Sequence, residues 1–370
     1  MNVLHLRSSG GMFGAEGVIL NLSRELNSMG HKSHIVCLRS SKNPHTELVD
    51  AAHDIGLNAE AVDCNGRIDF KAIKELKAII EDKGIDIVHC HDYKANLHCV
   101  FATPNKVVKI TTNHLWTSET FMLRLYETFD GFLGNCFHRI VGVSDKITEQ
   151  VKKFLIDKKR AITIYNGIDL ERYAPSVEKK VILRDKLGLS DDNLLLGAVG
   201  RLSVQKGYPY LLEALSLIKD EFPHVRLVFV GAGPEHDHLK EIVEKLALTD
   251  IVRFAGIQKD MPDVYRSIDA LVMSSISEGL PLVLLEALAM KVPVVATKVG
   301  AIPKVVENRV TGLLCESEDV KGLAQQLRCV ILDANLRESI TASGRKLMEE
   351  KLSAQAMARQ YEDIYKEVLN

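Results

Sequence analysis

Short apolar runs alternate with amphipathic stretches of helical period along nearly the whole chain. VLHL (3–6) precedes a segment near 15–29 in which Val18, Leu22, Leu26 and Met29 recur at helical spacing. HIVCL (34–38) follows, then a helix pattern carried by Phe70, Ile73, Leu76 and Ile80. IDIVHC (85–90), VVKITT (107–112) and HRIVGVS (138–144) complete the first half. The theme returns in LLLGAVG (194–200), VRLVFVG (225–231), IVRFAG (251–256), DALVM (269–273), PVVAT (293–297) and GLLC (312–315). Strands that are apolar throughout, with helices between them, predict parallel sheets covered on both faces. NGIDLERYAPSVEKK (166–180) carries Gly, Pro and a charge run without periodicity, and reads as a linker. The expected fold is α/β, with two doubly wound parallel-sheet domains facing each other across a cleft. The first spans 1–168 and the second 169–353. The amphipathic stretch 354–370 is a helix that can pack back on the first domain.

Composition narrows the class. A chain of 370 residues suits two domains with real cores, and 46% apolar with 26% charged residues excludes a disordered polymer. A net charge of −2 gives no basis for a nucleic-acid partner. MNVLHLRSSGG lacks the long apolar core of a secretory leader, so none is expected. The apolar region Leu271 to Ala296 is interrupted by Glu278, Glu286 and Lys291, which argues against a membrane span. Seven cysteines without a CxxC pair read as reduced thiols of a cytoplasmic protein.

In open α/β sheets ligands sit beyond the carboxyl ends of the strands, so the residues following each strand carry the chemistry. GRLSVQKG after 194–200 places Arg201 at a strand end and Lys206 at the next helix start, two cations suited to a diphosphate. GAGPE after 225–231 offers Gly231 and Gly233 for a tight turn and close backbone approach. SEGLPLVLLEALAM (277–290) follows 269–273, with Pro281 expected at the first helical position. The amides of Gly279 and Leu280 would then face outward at the positive end of the helix dipole, as an anion site. Glu286 falls in the second turn of an otherwise apolar helix, where a carboxylate is costly unless it accepts hydrogen bonds. A vicinal diol such as a ribose supplies two donors, and Glu278 at the loop mouth can accept from sugar hydroxyls. A solvated Glu278 and a dipole-stabilised Glu286 are the alternative reading.

SEGLPLVLLEA resembles the E-x7-E motif of the retaining glycosyltransferases of family 4, and GRLSVQKG their diphosphate-binding Arg/Lys stretch. FGAEGVILNLSRELNSMGH is similar to the family's first Gly loop and helix. IVGVSDKI and IYNGIDLERYAP are similar to its interdomain region, and TGLLCESEDVKGLA to its late donor-side loop. The resemblance covers nearly the whole chain. It implies the GT-B fold, two Rossmann-like domains. It implies a hexosyltransferase moving a sugar from a nucleoside-diphosphate sugar, UDP-sugar favoured, to a saccharide or lipid-linked saccharide hydroxyl in envelope glycan synthesis. By the same resemblance Arg201 and Lys206 neutralise the leaving diphosphate, Glu286 binds the ribose and Glu278 the donor sugar. Gly279 and Leu280 meet phosphate, His114 of TTNHLW stands beside the donor sugar, and Gly11 or Gly14 approaches the diphosphate. The sequence has no Asp-x-Asp metal clamp, so no cofactor and metal independence are expected.

Other features invite other readings. His89, His91, His98 and Cys99 suggest zinc, but no second pair has ligand spacing. His91 or Asp92 can instead line an acceptor site. VKKFLIDKKR (151–160) puts five cations among apolar residues. It reads as a solvated helix face or as a peripheral contact with anionic lipid at the inner membrane face. ETFMLRLYETFDGFLGN (119–135) reads as core helix or acceptor-site wall. A dinucleotide oxidoreductase would need GxGxxG, which is absent. A GDP-sugar (mannosyl-type) transferase and a non-catalytic nucleotide-sugar sensor on the same fold remain the alternatives.

Overall fold

The computed structural model describes residues 1–8, 11–12, 14–42, 45–114, 128–175, 182–190 and 192–369. The chain divides into two compact units, Met1–Gly167 with Ala354–Asn370, and Ile168–Ser353. In the first unit seven strands form one sheet: β1 (Asn2–Ser8), β2 (Lys32–Arg39), β3 (Asn58–Asp63), β4 (Ile87–Cys90), β5 (Val108–Asn113), β6 (Arg139–Gly142) and β7 (Ala161–Thr163). Their order is β3-β2-β1-β4-β5-β6-β7 and every pair is parallel. The second unit carries β8 (Leu194–Val199), β9 (Val225–Val230), β10 (Val252–Gly256), β11 (Ala270–Met273), β12 (Val294–Thr297) and β13 (Leu313–Cys315). These run β10-β9-β8-β11-β12-β13, again all parallel.

The strand order reverses beside β1 in one sheet and β8 in the other, which creates a crevice at the carboxyl ends of β1/β4 and of β8/β11. The central strands are buried along their length, as a sheet covered on both faces requires. Leu196, Leu211, Leu227 and Leu327 are among the fully buried residues of the second core, and Leu4, Val36, Leu76 and Val88 of the first.

Two strands carry no apolar run and escape a hydropathy reading. β3 is NAEAVD, an edge strand with only Val62 buried, and β7 is three residues long. The segment after Gly167 is not a free linker either. Ile168 bridges to Ser353, and Tyr173 is buried within the second unit. Its polar composition reflects a short irregular turn tied down by particular side chains.

The helix Ala354–Leu369 packs on the helix Gly14–Ser28 within the first unit. Its buried tyrosines reach into the sheet. The Tyr365 hydroxyl pairs with His89 Nδ1 at 2.7 Å, and the Tyr361 hydroxyl with Thr112 Oγ1 at 3.0 Å. Thr112 in turn pairs with His89 Nε2 at 2.7 Å. Buried polar groups are stable only when each finds a partner, and this closed set fixes the helix by direction as well as by apolar area.

Candidate functional site

At the carboxyl edge of the second sheet, β8 is followed by Gly200 and the exposed Arg201. A single 3-10 turn, Val204–Lys206, leads into the helix Tyr208–Ser216 through Gly207, which has φ +58°. A Cβ on Gly207 would stand 2.2 Å from the Ser274 carbonyl oxygen, so only glycine lets the loops after β8 and β11 touch. The Ser274 hydroxyl donates to the Lys206 carbonyl at 3.0 Å and closes the contact.

That contact sets Lys206 against Glu278. Lys206 Nζ donates to Glu278 Oε1 at 2.6 Å, and the Ser275 hydroxyl donates to the same oxygen at 2.7 Å. The side chains are only 19% and 10% exposed, so the pair is partly desolvated and geometrically fixed. Next to it the buried Tyr208 hydroxyl has no partner among the described residues. Burial first, and the Glu278 charge second, push that phenol above its ordinary range. Arg201, unlike Lys206, carries no ion pair among the described residues.

The Glu278–Pro281 turn is built to leave donors open. The Gly279 carbonyl accepts from the Ala301 amide at 3.0 Å, while the amides of Gly279 and Leu280 have no partner among the described residues. Gly300, at φ +57°, packs so closely that a Cβ there would lie 2.0 Å from the Glu278 carbonyl oxygen. Pro281 is the N-cap rather than the first helical residue: its φ and ψ of −73° and 129° are extended, and the helix runs Leu282–Ala289. A helix end displaced by one residue leaves the same amides pointing outward.

Glu286, in the second turn, is satisfied by the protein itself. Tyr173 donates to Oε1 at 2.9 Å and Tyr265 to Oε2 at 2.7 Å. Burial raises its carboxyl above the ordinary range, and the two phenols oppose that shift. Each carboxylate oxygen keeps further acceptor capacity, so a diol can be received on top of the tyrosines. Neither partner was legible locally, because Tyr173 and Tyr265 lie 113 and 21 residues away in sequence.

Gly231 and Gly233 serve the backbone beside them. A Cβ on Gly231 would meet the Gly200 carbonyl oxygen at 2.0 Å, and one on Gly233 the Leu202 carbonyl oxygen at 2.2 Å. They hold the loops after β8 and β9 together, which positions Arg201. A cavity of about 560 Å³ lies at the opposite, amino-end edge of this sheet, lined among others by Asn193, Arg266, Asp269 and Lys291. It contains none of the candidate residues.

In the first unit, Gly11 is buried at φ +143° and Gly14 opens the helix Gly14–Ser28, exposed. Arg7 Nε reaches Glu16 at 3.0 Å, and its Nη1 donates to the His91 carbonyl at 2.6 Å. Asp92 is occupied as the N-cap of the helix Tyr93–Ala102, accepting from the amides of Lys94 and Ala95, and its other oxygen takes the Ser8 amide at 2.6 Å. His91 is buried beneath it. Asp92 keeps a partly exposed side chain while His91 does not. His114 follows β5, half-buried, with Nε2 3.1 Å from His91 Nδ1, and burial lowers its pKa to about 3.

Nitrogens of His5, His89 and His91 come within 4.8 Å of one another, a spacing a metal ion would accept. Both nitrogens of His89 are engaged with hydroxyls, however, and His98 turns away to Cys64 Sγ and the Lys94 carbonyl. Hydrogen bonds engage every ring nitrogen of the cluster except His5 Nε2. Residues 115–127, including most of the 119–135 stretch, lie outside the described residues. The run 151–160 is only part helix. Ile156 is 92% exposed and Phe132 60%, with Phe132 edge-on to Phe154 at 5.6 Å, beside Lys152, Lys153, Lys158, Lys159 and Arg160. Asn135 ties the two segments by donating to the Phe154 carbonyl at 3.1 Å and accepting from the Ile156 amide at 2.9 Å. No helix among the described residues is long and apolar enough to cross a membrane.

The two doubly wound parallel-sheet units are those of the GT-B fold. Comparison with known proteins agrees. Residues 179–347 match the glycosyl transferases group 1 family, and residues 13–172 match glycosyltransferase family 4. The chain belongs to the group 1 glycosyltransferases of family 4. It is 26% identical to N-acetyl-alpha-D-glucosaminyl L-malate synthase of Bacillus anthracis, over 96% of this chain and 94% of that protein. It is 27% identical to the UDP-Gal:alpha-D-GlcNAc-diphosphoundecaprenol alpha-1,3-galactosyltransferase of Escherichia coli, over 70% of each. The crystal structure of Anabaena HepE in complex with UDP superposes with a TM-score of 0.85 at 21% identity, covering 99% of this chain and 100% of that one.

The tyrosine pair makes a pH prediction. Because burial raises the Glu286 pKa, the folded state resists its ionisation and stability from this group is lost as pH rises through the folded pKa; the phenols limit that loss. Tyr265→Phe removes one of them and matters most once Glu286 is charged. We expect a loss of about 1.5–3 kcal/mol near neutral pH and a smaller one near about pH 4, where the carboxyl is largely protonated. Thermal unfolding at both pH values measures it. An equal loss at both would contradict a role for the phenol in holding the charge.

Proposed function

We propose that the protein transfers a hexosyl group from a UDP-sugar, with retention of anomeric configuration, to the hydroxyl of a saccharide or lipid-linked saccharide in envelope glycan synthesis. The observation carrying this reading is the Lys206–Glu278 pair, set between the exposed Arg201 and the open amides of Gly279 and Leu280. Cations and helix-end amides stabilise the charge that builds on a departing diphosphate. Glu278, already orienting Lys206, accepts from sugar hydroxyls. Glu286 takes the ribose diol, which adds donors to a carboxylate that burial has made costly. The unpartnered Tyr208 hydroxyl is a further group able to meet the donor. On the first unit His114 is proposed to meet a sugar hydroxyl, and a glycine, Gly11 or Gly14, a phosphate oxygen. UDP is favoured because HepE binds UDP in its crystal structure and the Escherichia coli relative is named for UDP-Gal.

Arg201, Lys206 and the two amides supply the positive potential that a divalent ion gives elsewhere, so the reaction is proposed to need no metal. Turnover should survive EDTA; complete loss restored by Mn²⁺ would overturn this. Glu286→Ala should weaken UDP binding about tenfold or more, read by titration calorimetry, and unchanged affinity would remove Glu286 from the ribose. The basic patch around Phe132, Phe154 and Ile156 is proposed to touch anionic lipid, apolar side chains entering the interface and cations meeting headgroups. The chain should co-sediment with phosphatidylglycerol vesicles and be released by salt and by Ile156→Asp. Sedimentation unaffected by that variant would refute the patch.

A further inference from the structure

Three imidazoles form a row from the middle of the first sheet to its carboxyl edge. His5 on β1 and His89 on β4 are register partners on adjacent parallel strands, so their side chains share a face, and His91 two residues on keeps to it. His5 Nδ1 lies 3.1 Å from His91 Nε2, and His91 Nδ1 lies 3.1 Å from His114 Nε2. At the inner end, His5 Nε2 is buried without a partner among the described residues. His89 is a bystander, both its nitrogens being closed by Tyr365 and Thr112.

A link between two neutral imidazoles uses one proton, so the row has two polarities. If protons point inward, every ring is the Nε2–H tautomer and His5 ends the row on a buried N–H with no acceptor. If they point outward, every ring is Nδ1–H and the row ends internally on a bare lone pair. Buried N–H groups without acceptors are rarer than under-used acceptors, which favours the outward row. The rings stay neutral, because burial lowers the pKa of His5 and of His114 to about 3 and that of His91 well below the ordinary range. The charged side chain that acts on both His91 and His114 is Arg7, paired with Glu16 at 3.0 Å and 3.9 Å from Asp92, and its charge acts in the same direction. Facing the cluster from β5 and the helix Ala354–Leu369 are the hydroxyls of Thr112, Tyr361 and Tyr365, which are uncharged at neutral pH.

We propose that His5 and His91 are positioning residues that lock His114 as its Nδ1–H tautomer, so that His114 offers one fixed N–H donor to an oxygen of the sugar ligand. The proposal rests on the reading of His114 as a sugar-side residue. An imidazole whose Nε2 is tied inward has only Nδ1 left for a ligand, and which nitrogen carries the proton is set by the bond the other makes. A ring held this way donates a hydrogen bond and cannot act as a general base at neutral pH.

The test reads ring ¹⁵N spectra of the full chain together with UDP release from UDP-glucose. Wild type should show His114 as a single neutral Nδ1–H tautomer between about pH 6 and pH 8. His91→Phe should mix the tautomers, because the Nε2 of His114 then has no donor facing it. It should lower kcat about 10–100-fold, as loss of a group orienting a functional imidazole does, with KM shifted far less. His91→Gln, which keeps one acceptor and one donor, should recover part of that loss. His5→Phe, remote from His114, should mix the tautomers more weakly and guards against a fold defect at position 91. An Nε2–H or charged His114 in wild type would overturn the proposal, as would a His91→Phe tautomer change that left kcat unmoved. The spectra need no turnover, so wild type with the expected tautomer and no UDP release would contradict UDP-glucose as the donor and leave the tautomer lock standing.

Discussion

A carboxylate withdrawn from water must be given donors, and in the second unit this constraint organises the carboxyl edge of the sheet. Glu278 takes its donors from Lys206 and Ser275, and Glu286 from Tyr173 and Tyr265. To deliver them, loops after β8, β11 and β12 must approach closer than any Cβ permits, and Gly207 and Gly300 sit at those approaches. What the protein leaves unanswered at the same edge is positive or donating: Arg201, the amides of Gly279 and Leu280, and the Tyr208 hydroxyl. The acidic groups are satisfied internally and the donors are not. Such an edge is complementary to an anion that also carries hydroxyls.

The first unit follows a related logic with neutral groups. The buried histidines of β1, of β4 and of the end of β4 are arranged in two sets, one closed by the hydroxyls of Tyr361, Tyr365 and Thr112, the other running outward to His114. The closed set anchors the helix Ala354–Leu369 by hydrogen bonds whose geometry tolerates little sliding. The open set ends at the carboxyl edge, where the strand-order reversal makes a ligand crevice. Structure and chemistry therefore share one face of the sheet.

Much of this was legible in the sequence because central parallel strands announce themselves as unbroken apolar runs. Both sheets, and the identification as a family 4 glycosyltransferase, follow from that pattern with SEGLPLVLLEA and GRLSVQKG. β3 and β7 were not legible, since an edge strand with one buried residue has no hydropathic signal. The partners of Glu286 escaped for a different reason: a phenol 113 residues away has no local signature. Tyr173 sat inside a stretch whose Gly, Pro and charges read as linker, although the chain uses it to hold the Glu286 carboxylate. Pro281 stands one residue before the helix and not at its first position, because its ψ of 129° is extended. The histidine row was visible only as a zinc-like spacing; the hydrogen bonds that give it another meaning are long-range.

The central claim is that the carboxyl edge of the second unit binds a nucleoside diphosphate through Arg201 and its neighbours. The most direct measurement is a thermal-shift panel of UDP, GDP, ADP and NAD, run on the wild-type chain and on Arg201→Ala. Stabilisation of wild type by UDP, and its loss in the variant whose unliganded Tm is unchanged, is the predicted result. Stabilisation by NAD alone, or equal stabilisation of both chains by UDP, would contradict the account.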